Sequence, residues 1–229
     1  MDISKIEGDS QEYHILSNAA KDIKDVEGLT CEIGVRLGFG SLSIMMETVN
    51  EPTTRVHIGI DPFGNIEYQH GDYCRCPSCE SGWKNSPANY TNGLKREFLK
   101  NIYEWCFESK SEFLFFQLED TEFFERFSDG VPIYSHDKHI GDDNYKDNQG
   151  FKKLVDKYAL VHIDGPHDLK TVQNETNFFI DRIAIGGYLV YDDVADYDHH
   201  IIDEQLLKHG YVCKERGHRK ISYKFQGTN

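Results

Sequence analysis

The stretch CEIGVRLGFGSLS, from Cys31 to Ser43, decides the fold predicted for this chain. The apolar run from Leu29 to Gly34 predicts a β-strand, and the run from Ser41 to Val49 predicts a helix. Between the two predicted elements, or at their ends, lie Gly34, Gly38 and Gly40. Glycines at such a turn let the backbone bend tightly and come close to a ligand. The stretch therefore predicts a ligand site at the carboxyl end of the first strand of an α/β sheet.

Strands and helices alternate along the rest of the sequence. Further strands are predicted at residues 55–61, 113–118, 158–163 and 188–191, followed by a terminal β-hairpin at residues 211–215 and 220–225. Residues 151–157 are predicted to end a helix, and no element is assigned to residues 128–150. The alternation predicts an α/β fold: a Rossmann-like, doubly wound, mostly parallel sheet with helices on both faces.

The bulk composition narrows the class of protein. The chain has 229 residues, enough for one α/β domain with a full core, so residues 1–229 are interpreted as a single domain. The net charge of -14 argues against a broad nucleic-acid surface and suits a small-molecule or cationic ligand. The sequence has no apolar run of the roughly 20 residues that cross a membrane. Its first residues lack a signal-peptide pattern, so a cytoplasmic protein is predicted, with its oligomeric state open.

Acidic residues follow the second and third predicted strands. Asp61 ends the second strand, where a carboxylate can accept both hydroxyl groups of a ribose. Glu119 and Asp120 end the third strand, beside the place of an adenine ring. Because the carboxyl ends of parallel strands meet at one edge of the sheet, these residues and the glycine loop predict an adenosine-binding site.

Two kinds of cofactor compete for this site. A dinucleotide fold uses the spacing G-x-G-x-x-G, whereas this loop reads E-x-G-x-x-x-G-x-G from Glu32 to Gly40. The carboxylate of Glu32 would also repel a pyrophosphate. S-adenosylmethionine carries a sulfonium and an ammonium group, which a carboxylate attracts. The loop therefore favours S-adenosylmethionine over a dinucleotide.

Three carboxylates are predicted to converge at the next two strand ends. Asp164 ends the fourth strand, and Asp192 and Asp193 end the fifth. Like charges held so close are costly unless they are protonated or neutralised by a cation. A hard divalent ion with oxygen ligands, such as Mg²⁺, would neutralise them. The alternative is a site without metal, in which one aspartate, such as Asp164, acts as the base.

His167 follows Asp164 by three residues. An imidazole has an unperturbed pKa of ~6.5, which suits a general base that deprotonates a hydroxyl group. The alternative interpretation is a histidine at a helix N-terminus that makes only a local hydrogen bond.

Residues 62–93 are predicted to form a cysteine-rich insertion or lid within the domain. The insertion contains the spacing H-x3-C-x-C-x2-C, made by His70, Cys74, Cys76 and Cys79. Three thiolates and one imidazole would complete the tetrahedral ligand set of a structural zinc ion. Reduced thiols in a lid, or a disulfide, remain alternatives, because four ligands on one short segment make a cramped site.

The motifs together resemble those of class I S-adenosylmethionine-dependent methyltransferases. CEIGVRLGFGS resembles the first motif of this family, HIGID the second, and LEDTEFF the stretch after its third strand. LVHIDGPHDLKTV and IGGYLVYDD resemble the subgroup that includes sugar and macrolide O-methyltransferases. The resemblance covers residues 28–225 apart from 62–93 and 128–150.

This resemblance implies a fold, a reaction and a set of site residues. The seven-stranded sheet would have the order 3-2-1-4-5-7-6 with the last strand antiparallel, and the acceptor would be a hydroxyl of a sugar or another small polar molecule. A metal would bind at Asp164, Asp192 and Asp193, although the family often has Asn at the third position, and His167 would be the base. The cofactor would contact Glu32, Gly34, Gly38, Gly40, Ser41, Asp61, Glu119 and Asp120.

Two other functions remain open at this point. One is a nicotinamide-dependent oxidoreductase, which the glycine spacing and the lack of an evident Tyr-x3-Lys pair disfavour. The other is a non-catalytic, methyltransferase-like binding module, which the acidic residues at the strand ends disfavour.

Overall fold

The structure, a computed structural model, describes residues 3–8, 11–49, 55–63, 91–109, 111–135 and 151–227. None of the helices in these ranges is long and apolar enough to cross a membrane. The central sheet has seven strands in the order β3-β2-β1-β6-β7-β9-β8. Its strands are β1 (Leu29–Ile33), β2 (Val56–Ile60), β3 (Glu112–Phe116), β6 (Tyr158–Ile163), β7 (Ile183–Tyr191), β8 (Tyr211–Arg216) and β9 (Ile221–Phe225).

The pairing confirms the predicted sheet. Strands β3, β2, β1, β6 and β7 are parallel neighbours, and β9 runs antiparallel to both β7 and β8. Counted along this sheet alone, the order is the predicted 3-2-1-4-5-7-6. The central strands β1 and β6 are buried along their whole length, because helices cover both of their faces.

Six α-helices cover the two faces of the sheet in the described ranges. They are α1 (Tyr13–Asp22), α2 (Phe39–Thr48), α3 (Asn92–Ser109), α4 (Asp120–Arg126), α5 (Leu169–Phe179) and α6 (His200–Lys208). Helices α1, α2 and α3 supply the apolar clusters of one face, through residues such as Leu16, Ile44 and Phe98. Helices α4, α5 and α6 supply the larger cluster of the other face, through residues such as Phe123 and Phe179.

Two local predictions were wrong. Residues 151–157 do not end a helix, because Phe151–Val155 forms β5 and pairs antiparallel with β4 (Val131–Ser135) in a separate two-stranded sheet. The partner strand lies in the segment to which the sequence pattern assigned no element. Strand β7 also begins five residues earlier than the predicted 188, and its register against β6 shifts near Gly186, whose φ is 88°. A glycine inside a strand marks such a bulge, which the sequence pattern mistook for a stop signal.

The register of the four central strands creates one edge of strand ends. Ile33 lies opposite both Ile60 and Ile163, and Ile163 lies opposite Tyr191. The next residue along each strand is therefore placed on the same row: Gly34, Asp61, Asp164 and Asp192. This row is the edge at which an open parallel sheet binds its ligands.

Candidate active site

The glycine loop after β1 has the backbone conformation that its sequence requires. Gly34 and Gly38 have φ values of 79° and 87°, in the region that side chains other than glycine rarely adopt. A Cβ atom added at Gly34 would overlap the backbone carbonyl oxygen of Asp164. The loop therefore lies directly against the end of β6, and Gly38 precedes helix α2 as its N-cap.

Glu32 lies beneath this loop, with only 1% of its surface exposed. Its carboxylate accepts hydrogen bonds from the Oγ of Ser41 and, at 2.8 Å, from the Nδ1 of His162. Gly40 is required because a Cβ at that position would overlap the Glu32 carboxylate. Glu32, Gly40 and Ser41 therefore join β1 to the first turn of α2, beneath the glycine loop.

Asp61 is the polar residue that the end of β2 presents to the row of strand ends. Its two carboxylate oxygens accept the backbone N–H groups of Val35, at 3.1 Å, and Phe63, at 3.0 Å. Burial raises the pKa of Asp61 to about 6, although these backbone hydrogen bonds oppose the shift. The bond to Val35 connects Asp61 to the glycine loop, so the two predicted halves of the adenosine site are in direct contact.

The acidic pair after β3 divides into two roles. Glu119 is the N-cap of α4 and forms a capping box with Glu122, which gives its carboxylate a structural function. Asp120 is buried, and its Oδ2 has no hydrogen-bond partner among the described residues. Burial also raises the pKa of Asp120. An unsatisfied acceptor of this kind fits a ligand that brings a donor to it.

His167 and Asp193 form the polar pair at the opposite end of the row. The Nδ1 of His167 lies 2.6 Å from the Oδ2 of Asp193. Asp193 has a φ of 49°, in the left-handed region that residues other than glycine rarely adopt. Burial is the main cause that raises the pKa of Asp193, while His167 and Arg219 oppose it. The geometry is that of a general base held in one orientation by a carboxylate.

Asp192 faces a lysine rather than its acidic neighbours. The Nζ of Lys220 lies 2.6 Å from the Oδ2 of Asp192, and both side chains are almost completely buried. The same Nζ lies 2.9 Å from the Nε2 of His162. Arg219 forms ion pairs with Asp193 and, at 2.8 Å, with Asp196.

The predicted magnesium ligands Asp164, Asp192 and Asp193 do not form one compact group among the described residues. Among the described residues, the groups that bring three ligand atoms within 4.8 Å are Glu32–His162–Asp164 and His167–Asp193–Asp196. The predicted trio is neither of these, because the side chains of Asp192 and Asp193 turn to different cations. With an ammonium and a guanidinium group already beside the carboxylates, the residues do not fit a bound divalent ion.

The possible zinc ligands cannot be placed in the same way. His70, Cys74, Cys76 and Cys79 lie outside the described residues, so the zinc site stays a prediction. The interpretation of residues 62–93 as a separate insertion, and of residues 1–229 as one domain, also stays a prediction.

Sequence reasoning missed three residues that complete the site: His162, Arg219 and Lys220. His162 gave a signal, since it is the one ionisable side chain in the buried strand YALVHI apart from the tyrosine at its start. Arg219 and Lys220 gave none, because two basic residues beside a turn are typical of an exposed hairpin.

Comparison with known proteins identifies the family. A family model described as a methyltransferase domain matches residues 31–194, which run from β1 past the end of β7. The chain belongs to the methyltransferase domain family. This confirms the resemblance to class I S-adenosylmethionine-dependent methyltransferases and decides against a nicotinamide-dependent oxidoreductase. No curated protein matches the sequence.

Solved structures support the fold of this methyltransferase. The O-methyltransferase NovP has a TM-score of 0.59 and 15% identity, over 93% of this chain and 79% of NovP. CalS11, described as a TDP-rhamnose 3'-O-methyltransferase in calicheamicin biosynthesis, has a TM-score of 0.55 and 12% identity, over 93% and 77%. TomG of Streptomyces achromogenes, an O-methyltransferase solved with SAM, has a TM-score of 0.52 and 10% identity, over 97% and 82%. At these low identities, the similarity shows a shared fold and nothing more specific.

Proposed function

We propose that this methyltransferase transfers the methyl group of S-adenosylmethionine to a hydroxyl of a sugar or another small polar acceptor, with His167 as the general base. The observation that carries the proposal is the pair of His167 and Asp193, 2.6 Å apart, on the same row of strand ends as the glycine loop. A base at this place is needed for an oxygen nucleophile, whose proton must leave as the methyl group arrives.

The residues around the glycine loop suit the adenosine part of the cofactor. The ionised carboxylate of Asp61 can accept the ribose hydroxyls, since each of its oxygens has a further lone pair beside its backbone bond. The Oδ2 of Asp120, which lacks a partner among the described residues, can accept from the exocyclic amino group of adenine. The positive charge of the cofactor also suits a chain with a net charge of -14.

The reaction asks two things of the protein. S-adenosylmethionine supplies a methyl group that its sulfonium already activates, so the chain has to align the acceptor oxygen and remove its proton. Asp193 accepts from the Nδ1–H of His167, which fixes the tautomer and makes Nε2 the atom that receives the proton. The carboxylate then stabilises the imidazolium that forms, as in other His–carboxylate pairs.

The sugar-like acceptor rests on two supports. Carboxylates along the strand ends, such as Asp164, are natural acceptors for the several hydroxyl groups of a sugar. The name of the solved relative CalS11 also describes a sugar nucleotide as its substrate.

Calorimetry and product analysis test the proposal. We expect S-adenosylmethionine and S-adenosylhomocysteine to bind with one site per chain, and NADH not to bind. A panel of nucleotide sugars, free sugars and phenols, assayed by S-adenosylhomocysteine release and mass spectrometry, should show methylation at an oxygen. Absence of cofactor binding at about millimolar concentration, well above the usual range of KM, would overturn the proposal.

Cofactor affinity should depend on pH through Asp61. The pKa of this carboxyl is about 6 because of burial, so it loses its charge as the pH falls through that value. If the ribose binds only the ionised form, the dissociation constant should rise about tenfold per pH unit below about pH 6. Calorimetry across this range measures the effect.

Protonation of Asp61 does not itself destabilise the folded protein. A carboxyl whose folded pKa is raised binds its proton more tightly in the folded state, so protonation of Asp61 favours folding as the pH falls. The control is Asp61→Asn, which should bind more weakly and lose the pH dependence. An affinity that stays constant down to about pH 5 in the natural protein would rule out this role for Asp61.

A further inference from the structure

The turn between β8 and β9 brings two cations to the active site from the far end of the sequence. Tyr191, at the end of β7, pairs with Ile221, at the start of β9, so Lys220 lies beside Asp192. The backbone of Val194 donates a hydrogen bond to the carbonyl oxygen of Arg219 at 3.1 Å. The segment after β7 and the hairpin turn are therefore bonded to each other along their backbones.

Lys220 is completely buried and sits between two strand ends. Its Nζ contacts Asp192 at 2.6 Å and His162 at 2.9 Å. Because an ammonium group can only donate, the Nε2 of His162 accepts and its Nδ1–H donates to Glu32. With one ring nitrogen accepting and the other donating, the imidazole of His162 is neutral. A continuous polar chain therefore runs from Asp192 to Glu32, beneath the glycine loop.

Arg219 performs the corresponding task for the catalytic pair. Its guanidinium contacts Asp193 and makes two hydrogen bonds to Asp196, of 2.8 and 2.9 Å. Asp196 also lies 3.8 Å from His167, so Asp193 and Asp196, two carboxylates of the described residues that face the histidine, are paired with the same arginine. Arg219 therefore pairs with both carboxylates, while the Nδ1 of His167 keeps its contact with Asp193.

The hairpin turn is held in place by a carboxylate from the N-terminal segment. Glu12 accepts backbone N–H groups from His218, Arg219 and Lys220, at distances of 3.0, 2.9 and 3.1 Å. These bonds, with that from His218 as the largest cause, lower the pKa of Glu12. Glu12 itself has a φ of 63°, a strained conformation at the entry to α1. The turn that carries the two cations is thus anchored on the side where α1 begins.

We propose that Lys220 and Arg219 are the resident counter-cations of the active-site carboxylates, in the role that a divalent metal would otherwise have. Lys220 is a positioning residue that fixes Asp192 and, through His162 and Glu32, the glycine loop. Arg219 positions Asp193 and hence His167. The methyltransferase then works without a bound divalent ion. The role of Arg219 rests on the proposed function, in which His167 is the base, but the first experiment needs no turnover.

The first experiment uses the natural protein after extensive dialysis against a chelator. Titration with Mn²⁺ followed by electron paramagnetic resonance should show no protein-bound ion up to about 1 mM, the weak end of biological cation sites. Added Mg²⁺ or Mn²⁺ should leave the melting temperature unchanged, because a ligand raises it only by binding the folded state. Tight Mn²⁺ binding, or methyl transfer that occurs only with added metal, would overturn the inference and leave the proposed reaction standing.

The second experiment removes the buried ammonium group. Lys220→Met should lower kcat by about 10- to 100-fold, the range found for groups that support an active site from its second layer. Lys224→Met is the matched control, since Lys224 lies on β9, the strand that follows Lys220, and pairs with Asp22 away from the row of strand ends. This control should keep its activity.

A double variant separates charge pairing from simple packing. Lys220→Met leaves the buried Asp192 without its counter-charge, so the single variant should melt well below the natural protein or fail to fold. Adding Asp192→Asn removes the unpaired charge and should recover much of the melting temperature, without restoring activity. Additive losses in the double variant would mean that Lys220 does not neutralise Asp192, and the inference would fall.

Discussion

Replacing His167 with Asn is expected to lower kcat by about 10²- to 10⁴-fold, the usual contribution of a general base. The amide of Asn can keep a hydrogen bond to Asp193 in place of the Nδ1 contact, which measures 2.6 Å in the histidine. What it cannot do is receive the proton of the acceptor hydroxyl. Affinity for S-adenosylmethionine should stay unchanged, because the proposed cofactor residues lie at or after the ends of β1, β2 and β3. Steady-state kinetics with calorimetry measures both quantities.

His200→Asn provides the matched control for this experiment. His200 is 74% exposed at its side chain and forms an ion pair with Glu204 on the surface of α6. Its replacement should leave kcat and the melting temperature as they are. If His167→Asn kept kcat within a factor of about three of the natural protein, a catalytic gain below the range of general bases, His167 would have only the local structural role.

Replacing Gly34 with Ala is expected to have the largest effect on folding. The residue has a φ of 79°, and the added Cβ would overlap the carbonyl oxygen of Asp164, a backbone atom that cannot rotate away. Strain at a positive φ and overpacking together predict a loss of about 2 to 6 kcal/mol in the free energy of unfolding. Because the clash separates the ends of β1 and β6, cofactor binding should be lost even in the fraction that folds. Denaturant unfolding and calorimetry test the two effects.

Gly227→Ala is the control that separates strain from overlap. Gly227 has a similar φ of 92°, but the nearest atoms to an added Cβ there are side-chain carbons of Ile185 at 3.7 and 3.9 Å. This variant should show only the conformational cost of about 1 kcal/mol. Equal losses in the free energy of unfolding of the two variants would show that overlap with Asp164 adds nothing to the cost of the Gly34→Ala substitution.

Much of the proposed cofactor site could be predicted, because short stretches of sequence indicate its residues. The apolar run before Gly34 and the alternating run before Asp61 each set a strand, and the residue after each strand lies on the binding edge. Glu32 was predicted as a loop residue, yet only 1% of its surface is exposed, and its carboxylate lies beneath the glycine loop. The pattern located the residue along the chain but could not say which side of the loop its carboxylate takes.

The sequence by itself determined the succession of strands and helices along the chain, the glycine turn and the carboxylates at the strand ends, because these depend on periodicity and on residue types at fixed positions. The order of the strands within the sheet followed from the resemblance to the methyltransferase family. Only the tertiary structure decided how those carboxylates are neutralised. Lys220 meets His162 across 58 residues of sequence, and Arg219 meets Asp193 across 26. Such pairs depend on the antiparallel register of β7 with β9 and on the anchor at Glu12, which no local pattern contains. Charge pairing between distant segments places a lysine and an arginine beside the carboxylates at which the sequence predicted a metal.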